Sequence, residues 1–349
     1  MRWQAPAHKM QKCFSVGTIN MHKQKTKLED ISKLLEPIGQ QLTSIEDRLR
    51  ETFSDQHDVL TTATEHLLDS GGKRIRPIVA LLSASMFEAD QQHAVSLAAA
   101  VEMLHTATLV HDDLIDGSLM RRGIKTLNAD FSSEITILTG DYLFARAASF
   151  AAQTQNVRVM NLFAETLMTI VNGEIKQSFA KENTANRQNY FQRIQAKTAS
   201  MFALAAEAGA ILGTQDEKAI DAMRHYGVQT GIAFQIVDDI LDFVGNSEDV
   251  GKPVGHDLLQ GLLTLPALYY IEDNPDNSDV ASLQKGHNKD QDVYKRVIQS
   301  ISSSSAIDSS FAEARQYVES AKSALEELPQ CKYLDALHTI ANYVVERKF

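Results

Sequence analysis

Cysteine is nearly absent from this chain: its 349 residues include two, Cys13 and Cys331. Two thiols so far apart build neither a disulfide scaffold nor a zinc site, and they fit a reducing, cytoplasmic setting. Proline and glycine are scarce, at 7 and 17. That excludes collagen-like and low-complexity chains and leaves a globular, helix-favouring composition. Positive charge is also short, and the formal net charge is −11. This balance argues against a protein that grips nucleic acid by charge. An acidic chain still takes anionic ligands if its acids first bind metal. No apolar run reads as long enough to span a membrane. The first 28 residues hold no acid and carry Arg2, Lys9, Lys12, Lys23, Lys25 and Lys27. With one arginine, few serines and no signal-peptide apolar core, residues 1–27 read as a disordered basic leader, with Met10 or Met21 as alternative starts. Residues 28–349 read as one large domain.

What the chain has in place of these is a stretch from Val101 to Arg122, VEMLHTATLVHDDLIDGSLMRR. It opens apolar and helical in period. It then delivers His111, Asp112, Asp113 and Asp116 and closes on Arg121 and Arg122. On a helix Asp112 and Asp116 lie one turn apart with Asp113 beside them, and His105 sits two turns earlier. Clustered carboxylates in a poorly solvated site repel one another. A hard divalent cation relieves that repulsion, and Mg2+ prefers oxygen ligands while leaving room for phosphates. Alone, DDLID is equally a solvated acidic turn. It is not alone: QIVDDILD, Gln235 to Asp242, repeats the spacing with Asp238, Asp239 and Asp242 inside an apolar helix. Three acids there are costly unless something neutralises them. The two clusters could face each other across a bundle interior.

The rest of the chain reads as helices. Residues 28–53 have helical spacing broken or kinked at Pro37, and Val59 to Leu68 is a second short helix. Gly71-Gly72-Lys73-Arg74-Ile75-Arg76-Pro77 combines glycines that admit a close ligand with positive charge at a helix start; by itself it is also a plain basic turn. Residues 78–105 form a long alanine-rich segment, and similar ones recur at 143–152 and 202–212. Asp141 falls near a helix start. Lys197-Thr198-Ala199 places a lone lysine in an apolar segment, where snorkelling is the ordinary explanation. The second acidic cluster lies in 219–244, ended by Gly245. A loop with Lys252 follows, and helical patterns resume at 292–301, 308–328 and 332–346.

The ordered set GGKRIRP (71–77), His105, HDDLID (111–116) with Arg121 and Arg122, GD (140–141), KTA (197–199), FQIVDDILD (234–242) and GKPVGHDL (251–258) resembles the trans-prenyl diphosphate synthases, or polyprenyl synthetases, of long-chain type. The resemblance covers residues 28–349. It implies an all-α fold, a single-domain antiparallel helical bundle around a deep central cavity (the isoprenoid synthase type), usually as a homodimer. It implies two or three Mg2+ ions per active site, held by Asp112, Asp113, Asp116, Asp238, Asp239 and Asp242 on the diphosphate of an allylic prenyl diphosphate. Arg121, Lys197, Thr198, Gln235 and Lys252 would complete that site, with Lys197 joining the acids as catalytic. Gly72, Lys73, Arg76, His105 and Arg122 would bind isopentenyl diphosphate. The product would be handed to a membrane, and nucleic acid has no part. One departure is Leu262, which stands where the family often has a lysine and puts one phosphate contact in doubt. Glu346-Arg347-Lys348-Phe349 resembles the basic tail that caps the site in relatives.

In short-chain relatives a bulky aromatic five positions before the first aspartate forms the floor of the product tunnel. Here that position is Ala107, with Met103 one turn below at about 6 Å. A methyl group does not stop a growing chain, so the expected product has about six or more isoprene units. The alternatives are a short-chain geranylgeranyl diphosphate synthase and the catalytic subunit of a heterodimeric prenyltransferase. A terpene cyclase normally replaces the second DDxxD by a mixed Asn/Ser/Glu pattern. A non-catalytic subunit typically loses acids from one cluster.

Overall fold

The computed structural model describes residues 35–51, 58–69, 72–121, 123–179, 186–245, 254–284 and 291–347. After a short 3-10 turn at Glu36–Ile38 come α1 (Gly39–Glu51), α2 (Asp58–Asp69), α3 (Ile75–Met86) and α4 (Gln91–Ile115). A two-stranded hairpin, β1 (Met120–Arg121) and β2 (Ile124–Lys125), leads to α5 (Ser133–Ala152) and α6 (Val157–Phe179). α7 (Arg187–Ile194) runs through a π-helical turn, Gln195–Ala199, into α8 (Ser200–Gly213), and α9 (Glu217–Val244) follows. The last part holds α10 (Leu265–Asp273), α11 (Gln291–Ser302), α12 (Ser305–Ala324) and α13 (Lys332–Glu346), with short helical pieces between. The described residues form the all-α bundle that the motifs imply.

Local chemistry sets the boundaries. Pro37 falls in the 3-10 turn just before α1, where its missing N–H is harmless. The alanine-rich segment expected as one stretch over 78–105 is two helices. Asp90 accepts from the backbone N–H groups of Gln92 and His93 at 2.9 and 3.0 Å and starts α4 afresh, and Glu88 takes a left-handed φ of 54° in the break. This is the usual competition between an Asp side chain and the helix ladder. Asp216 caps α9 in the same way through the Lys218 N–H.

α4 and α9, the helices that carry the acidic clusters, flank α8 and both pack against it. The close approach of α9 to α8 depends on small residues. A Cβ on Gly227 of α9 would come within 2.5 Å of the Phe202 carbonyl oxygen in α8, so any larger residue would push the two apart. α4 is buried on nearly every side, from Ala94 through Leu104 to Val110. It is the one helix among the described residues that is long and apolar enough to cross a membrane. That corrects the expectation that no such run exists. Its composition reflects a helix enclosed by α3, α5 and α8. Truncating a fully buried Leu97 or Leu104 here costs about 2–5 kcal/mol. A second, smaller core joins the end of α9 to α10 and α11 through Phe243, Ile271 and Val297.

Candidate active site

Asp112 and Asp113 end α4, and Asp116 is its C-cap. A helix C-terminus already carries partial negative charge, so these acids need cations. The hairpin supplies one. Arg121 pairs with Ile124 across a turn in which Gly123 has φ 76°, a conformation suited to glycine. The fold-back lets Arg121 grip Asp113, with Nε at 3.0 and 2.9 Å from its two oxygens and Nη2 at 2.8 Å from Oδ1. Asp116 is exposed. Behind the cluster, the ring of His111 lies 5.3 Å from Phe144, with Nε2 3.2 Å from the Ile137 carbonyl oxygen. His111 occupies the space that a side chain at Gly140 would need, which accounts for the glycine of Gly140-Asp141.

Lys197 supplies the second cation. Its Nζ lies 3.0 Å from Asp112 Oδ2 and 2.9 Å from Glu174 Oε1. Burial alone would lower the ammonium's pKa, but the two carboxylates outweigh it and the pKa is raised. Burial raises Asp112, partly offset by Lys197. The next residue, Thr198, turns toward α9 and donates to Gln235 Oε1 at 2.6 Å. Gln235 in turn donates to Asp239 Oδ1 at 2.8 Å. The π-helical turn thus sends adjacent side chains to the two clusters, a placement typical of such turns.

The second cluster divides three ways. Asp239 is 3 % exposed and accepts from Tyr190 Oη at 2.7 Å as well as from Gln235. Burial, with the charge of Asp257 adding to it, pushes its carboxyl up to about 7. Asp238 pairs with Arg347 at 2.7 Å. Arg347 is itself buried; it donates to the Phe234 carbonyl at 2.6 Å and lies 3.8 Å above the Phe234 ring. Within the tail, Arg347 therefore lies against the second cluster. Asp242 accepts from the backbone N–H groups of His256 and Asp257, both at 3.2 Å, holding the start of the His256–Leu259 helical turn against α9.

The basic motif lies at the start of α3. Arg76 Nη1 donates to His105 Nε2 at 3.2 Å, which leaves the other ring nitrogen to carry the proton. Its guanidinium lies over Phe202 and Phe234, at 4.9 and 5.5 Å. Phe234 therefore contacts both Arg76 and Arg347, and it joins the basic site to the second cluster. Lys73 is exposed, 5.7 Å from the ring of Tyr343, and Gly72 is half-buried. Ala107 and Met103 are enclosed within the core, at 0 and 1 % exposure. Arg122 and Lys252 lie outside the described residues.

Sequence reasoning missed Glu174, Tyr190, Phe202 and Phe234 as site residues. Phe234 sits within the quoted FQIVDDILD, and an acid inside the apolar run of α6 was a signal for Glu174. Among the described residues no three His, Cys, Asp or Glu side chains converge into a ready metal cage. The donor set still fits Mg2+. Both clusters offer carboxylate oxygens only. Burial raises Asp112 and Asp239, so each cluster lacks positive charge, and Lys197, Arg121 and Arg347 supply part of it. A cation entering here would take over what those side chains now neutralise.

The polyprenyl synthetase family model matches residues 57–301. The chain is 37 % identical over 306 residues to heptaprenyl diphosphate synthase component 2 of Bacillus subtilis, covering 87 % of each. It is 34 % identical to the all-trans-nonaprenyl-diphosphate synthase of Rhodobacter capsulatus, over 90 % of this chain and 97 % of the relative. The structure of a polyprenyl synthase from Caulobacter crescentus complexed with calcium and isoprenyl diphosphate superposes with a TM-score of 0.85 at 33 % identity, covering 91 % of this chain and 98 % of that one. With the two acidic helices, the bridging lysine and the separate basic site in place, the chain belongs to the polyprenyl synthetase family of prenyltransferases.

Proposed function

We propose that this chain is a Mg2+-dependent all-trans polyprenyl diphosphate synthase. It condenses isopentenyl diphosphate head-to-tail onto an allylic primer such as farnesyl or geranylgeranyl diphosphate, to products of about six or more isoprene units. The observation that carries the reading is the pair Lys197 and Thr198, which ties the two acidic clusters into one site while Arg76 and His105 form a second cationic site beside it. Two diphosphate substrates require two such sites.

In the reaction the allylic C–O bond breaks, a C–C bond forms to the terminal carbon of isopentenyl diphosphate, and one proton is lost. The carboxylates of the Asp112 and Asp238 clusters would hold Mg2+, which would supply positive charge to the departing diphosphate. Lys197 and Arg121 hold that leaving group from the side of α4, where fixed positive charge is strongest in effect because little water enters. Gln235, anchored by Thr198, orients Asp239. Arg76 and Lys73 bind the second diphosphate, and Phe202 and Phe234 present apolar ring surface next to it. The apolar lining shields the cation from water. The released diphosphate, formed beside the new carbon–carbon bond, takes the proton.

A long product is supported by Ala107, which offers no bulk to stop a chain, and by the heptaprenyl and nonaprenyl names of similar proteins. A geranylgeranyl pyrophosphate synthetase of Pyrococcus horikoshii is also similar, at 31 % identity and a TM-score of 0.82, so product length is the property to measure. Exposed apolar side chains on α5 and α6, among them Leu138, Met168 and Ile175, support assembly as a homodimer. The component 2 relative makes a two-component enzyme the second reading. Light scattering of the purified chain separates a dimer from a monomer awaiting a partner. We also place the protein in the cytoplasm, passing its lipid product to a membrane; fractionation tests this. The function itself is tested by mass analysis after incubation with Mg2+, farnesyl diphosphate and isopentenyl diphosphate.

A further inference from the structure

Glu102 is a carboxylate that the reaction above does not use. It lies in the middle of the alanine-rich part of α4 and is 5 % exposed. Its Oε1 pairs with Arg74 Nη1 at 2.5 Å. Arg74 also pairs with Glu46 of α1, Nε to Oε1 at 2.9 Å. In the stretch Gly71-Gly72-Lys73-Arg74-Ile75-Arg76, the synthase reading assigns ligand contacts to Gly72, Lys73 and Arg76 but not to Arg74. It has a left-handed backbone, φ 49° and ψ 31°, and is the N-cap of α3 without any side-chain cap bond. A non-glycine residue in that region costs on the order of 1 kcal/mol or more unless its surroundings hold it there. The surroundings here are two carboxylates. Burial lowers the guanidinium's pKa, but Glu102 and Glu46 outweigh it and the pKa ends raised, so the charge stays fixed.

The spacing on α4 gives the pairing a purpose. Glu102 and His105 are three residues apart and so share one helix face. Glu102 takes Arg74 and His105 takes Arg76. Two rungs therefore connect α4 to the same short stretch of chain, one before the start of α3 and one within its first turn. Lys73 sits next to the first rung. A buried ion pair contributes little net stability over an apolar pair of similar size, but it imposes a definite geometry.

We propose that Glu102 is a positioning residue for the isopentenyl diphosphate site: through Arg74 it fixes the left-handed turn that presents Gly72 and Lys73 and aligns Arg76. The proposal rests on the synthase reading, since it assigns that site's preorganisation. Preorganised groups are worth more than the same groups free to move. Loosening the turn should weaken isopentenyl diphosphate and leave the allylic site, built from Lys197, Arg121 and α9, as it was.

The test uses the full chain and the steady-state KM of each substrate, with Tm as the stability readout. Glu102→Gln should raise the KM for isopentenyl diphosphate about tenfold and leave the allylic KM within twofold. It should also lower Tm, because Arg74 is left half-paired. The double variant Arg74→Met/Glu102→Leu removes both charges from the rung. It should recover Tm and keep the raised KM, a split that a merely structural role does not produce. Leu97→Ala, a core truncation on the same helix, should lower Tm and shift neither KM selectively. A wild-type KM for isopentenyl diphosphate in the double variant, or equal rises for both substrates, overturns the proposal. If the wild-type chain forms no prenyl product with any allylic primer, the synthase reading itself has failed, and that outcome is distinct.

Discussion

Arg347 lies 2.7 Å from Asp238 and covers the ring of Phe234, so the last turn of the described chain is locked onto the second acidic cluster. The guanidinium occupies the place on Asp238 that a divalent cation would compete for. Arg347→Ala should therefore lower the Mg2+ concentration needed for half-maximal thermal stabilisation, while reducing the Tm of the metal-free protein. Differential scanning calorimetry against Mg2+ concentration measures both effects. An unchanged Mg2+ dependence would show that Arg347 and the metal do not compete.

Lys197 holds the first cluster together. Lys197→Met leaves Asp112 and Glu174 without their shared cation. The allylic kcat/KM should fall by about 10²-fold or more, in line with loss of one preorganised charge at a leaving group. The KM for isopentenyl diphosphate should change by less than about threefold. Kinetics varying one substrate at a time separate the two, and a larger effect on isopentenyl diphosphate would reverse the assignment of the sites.

The raised carboxyl of Asp239 has a pH consequence. Folded, it keeps its proton up to about pH 7; unfolded, it loses it near the ordinary value of about 4. The folded protein thus binds the extra proton between these values. This group's contribution favours folding at low pH and is lost as pH rises toward 7 and above. Mg2+ binding requires the carboxylate, at a cost of about 1.4 kcal/mol for each pH unit below 7. The Tm gain on adding Mg2+ should be larger at pH 8 than at pH 6. Equal gains would place Asp239 outside the metal site.

Ala107 tests product length. A larger side chain at this enclosed position should stop chain growth at roughly three or four units with the chemistry intact, at some loss of stability from overpacking. Ala107→Phe and Ala107→Tyr, compared by product mass, check this. Wild-type length in both would show that the growing chain does not pass Ala107.

The helices and both acidic clusters were legible in the sequence because they depend on local patterns, the 3.6-residue period and the four-residue spacing of aspartates. The break between α3 and α4 was not, since the polar run Glu88-Ala89-Asp90-Gln91-Gln92-His93 that marks it reads equally as one exposed patch of a continuous helix. Glu174, Tyr190 and Phe202 reach the site from α6, α7 and α8, and no spacing along the chain reveals which distant helix faces Lys197 or Arg76. The three-way division of Asp238, Asp239 and Asp242 also depends on partners remote in sequence: Arg347, Tyr190 and the His256–Leu259 turn. Arg121 follows the acids closely along the chain, but its bidentate grip on Asp113 needs the hairpin, whose strands are two residues each.

Product mass shows whether this chain is a long-chain synthase: purified protein is incubated with Mg2+, farnesyl diphosphate and isopentenyl diphosphate beside Asp112→Asn and Asp238→Asn. The wild type should yield all-trans polyprenyl diphosphates of about six or more units. A chelator should abolish them, and each variant should turn over slower by orders of magnitude, because both clusters act on one leaving group. Near-normal turnover in either variant, or a wild type that never extends its primer, would contradict this reading.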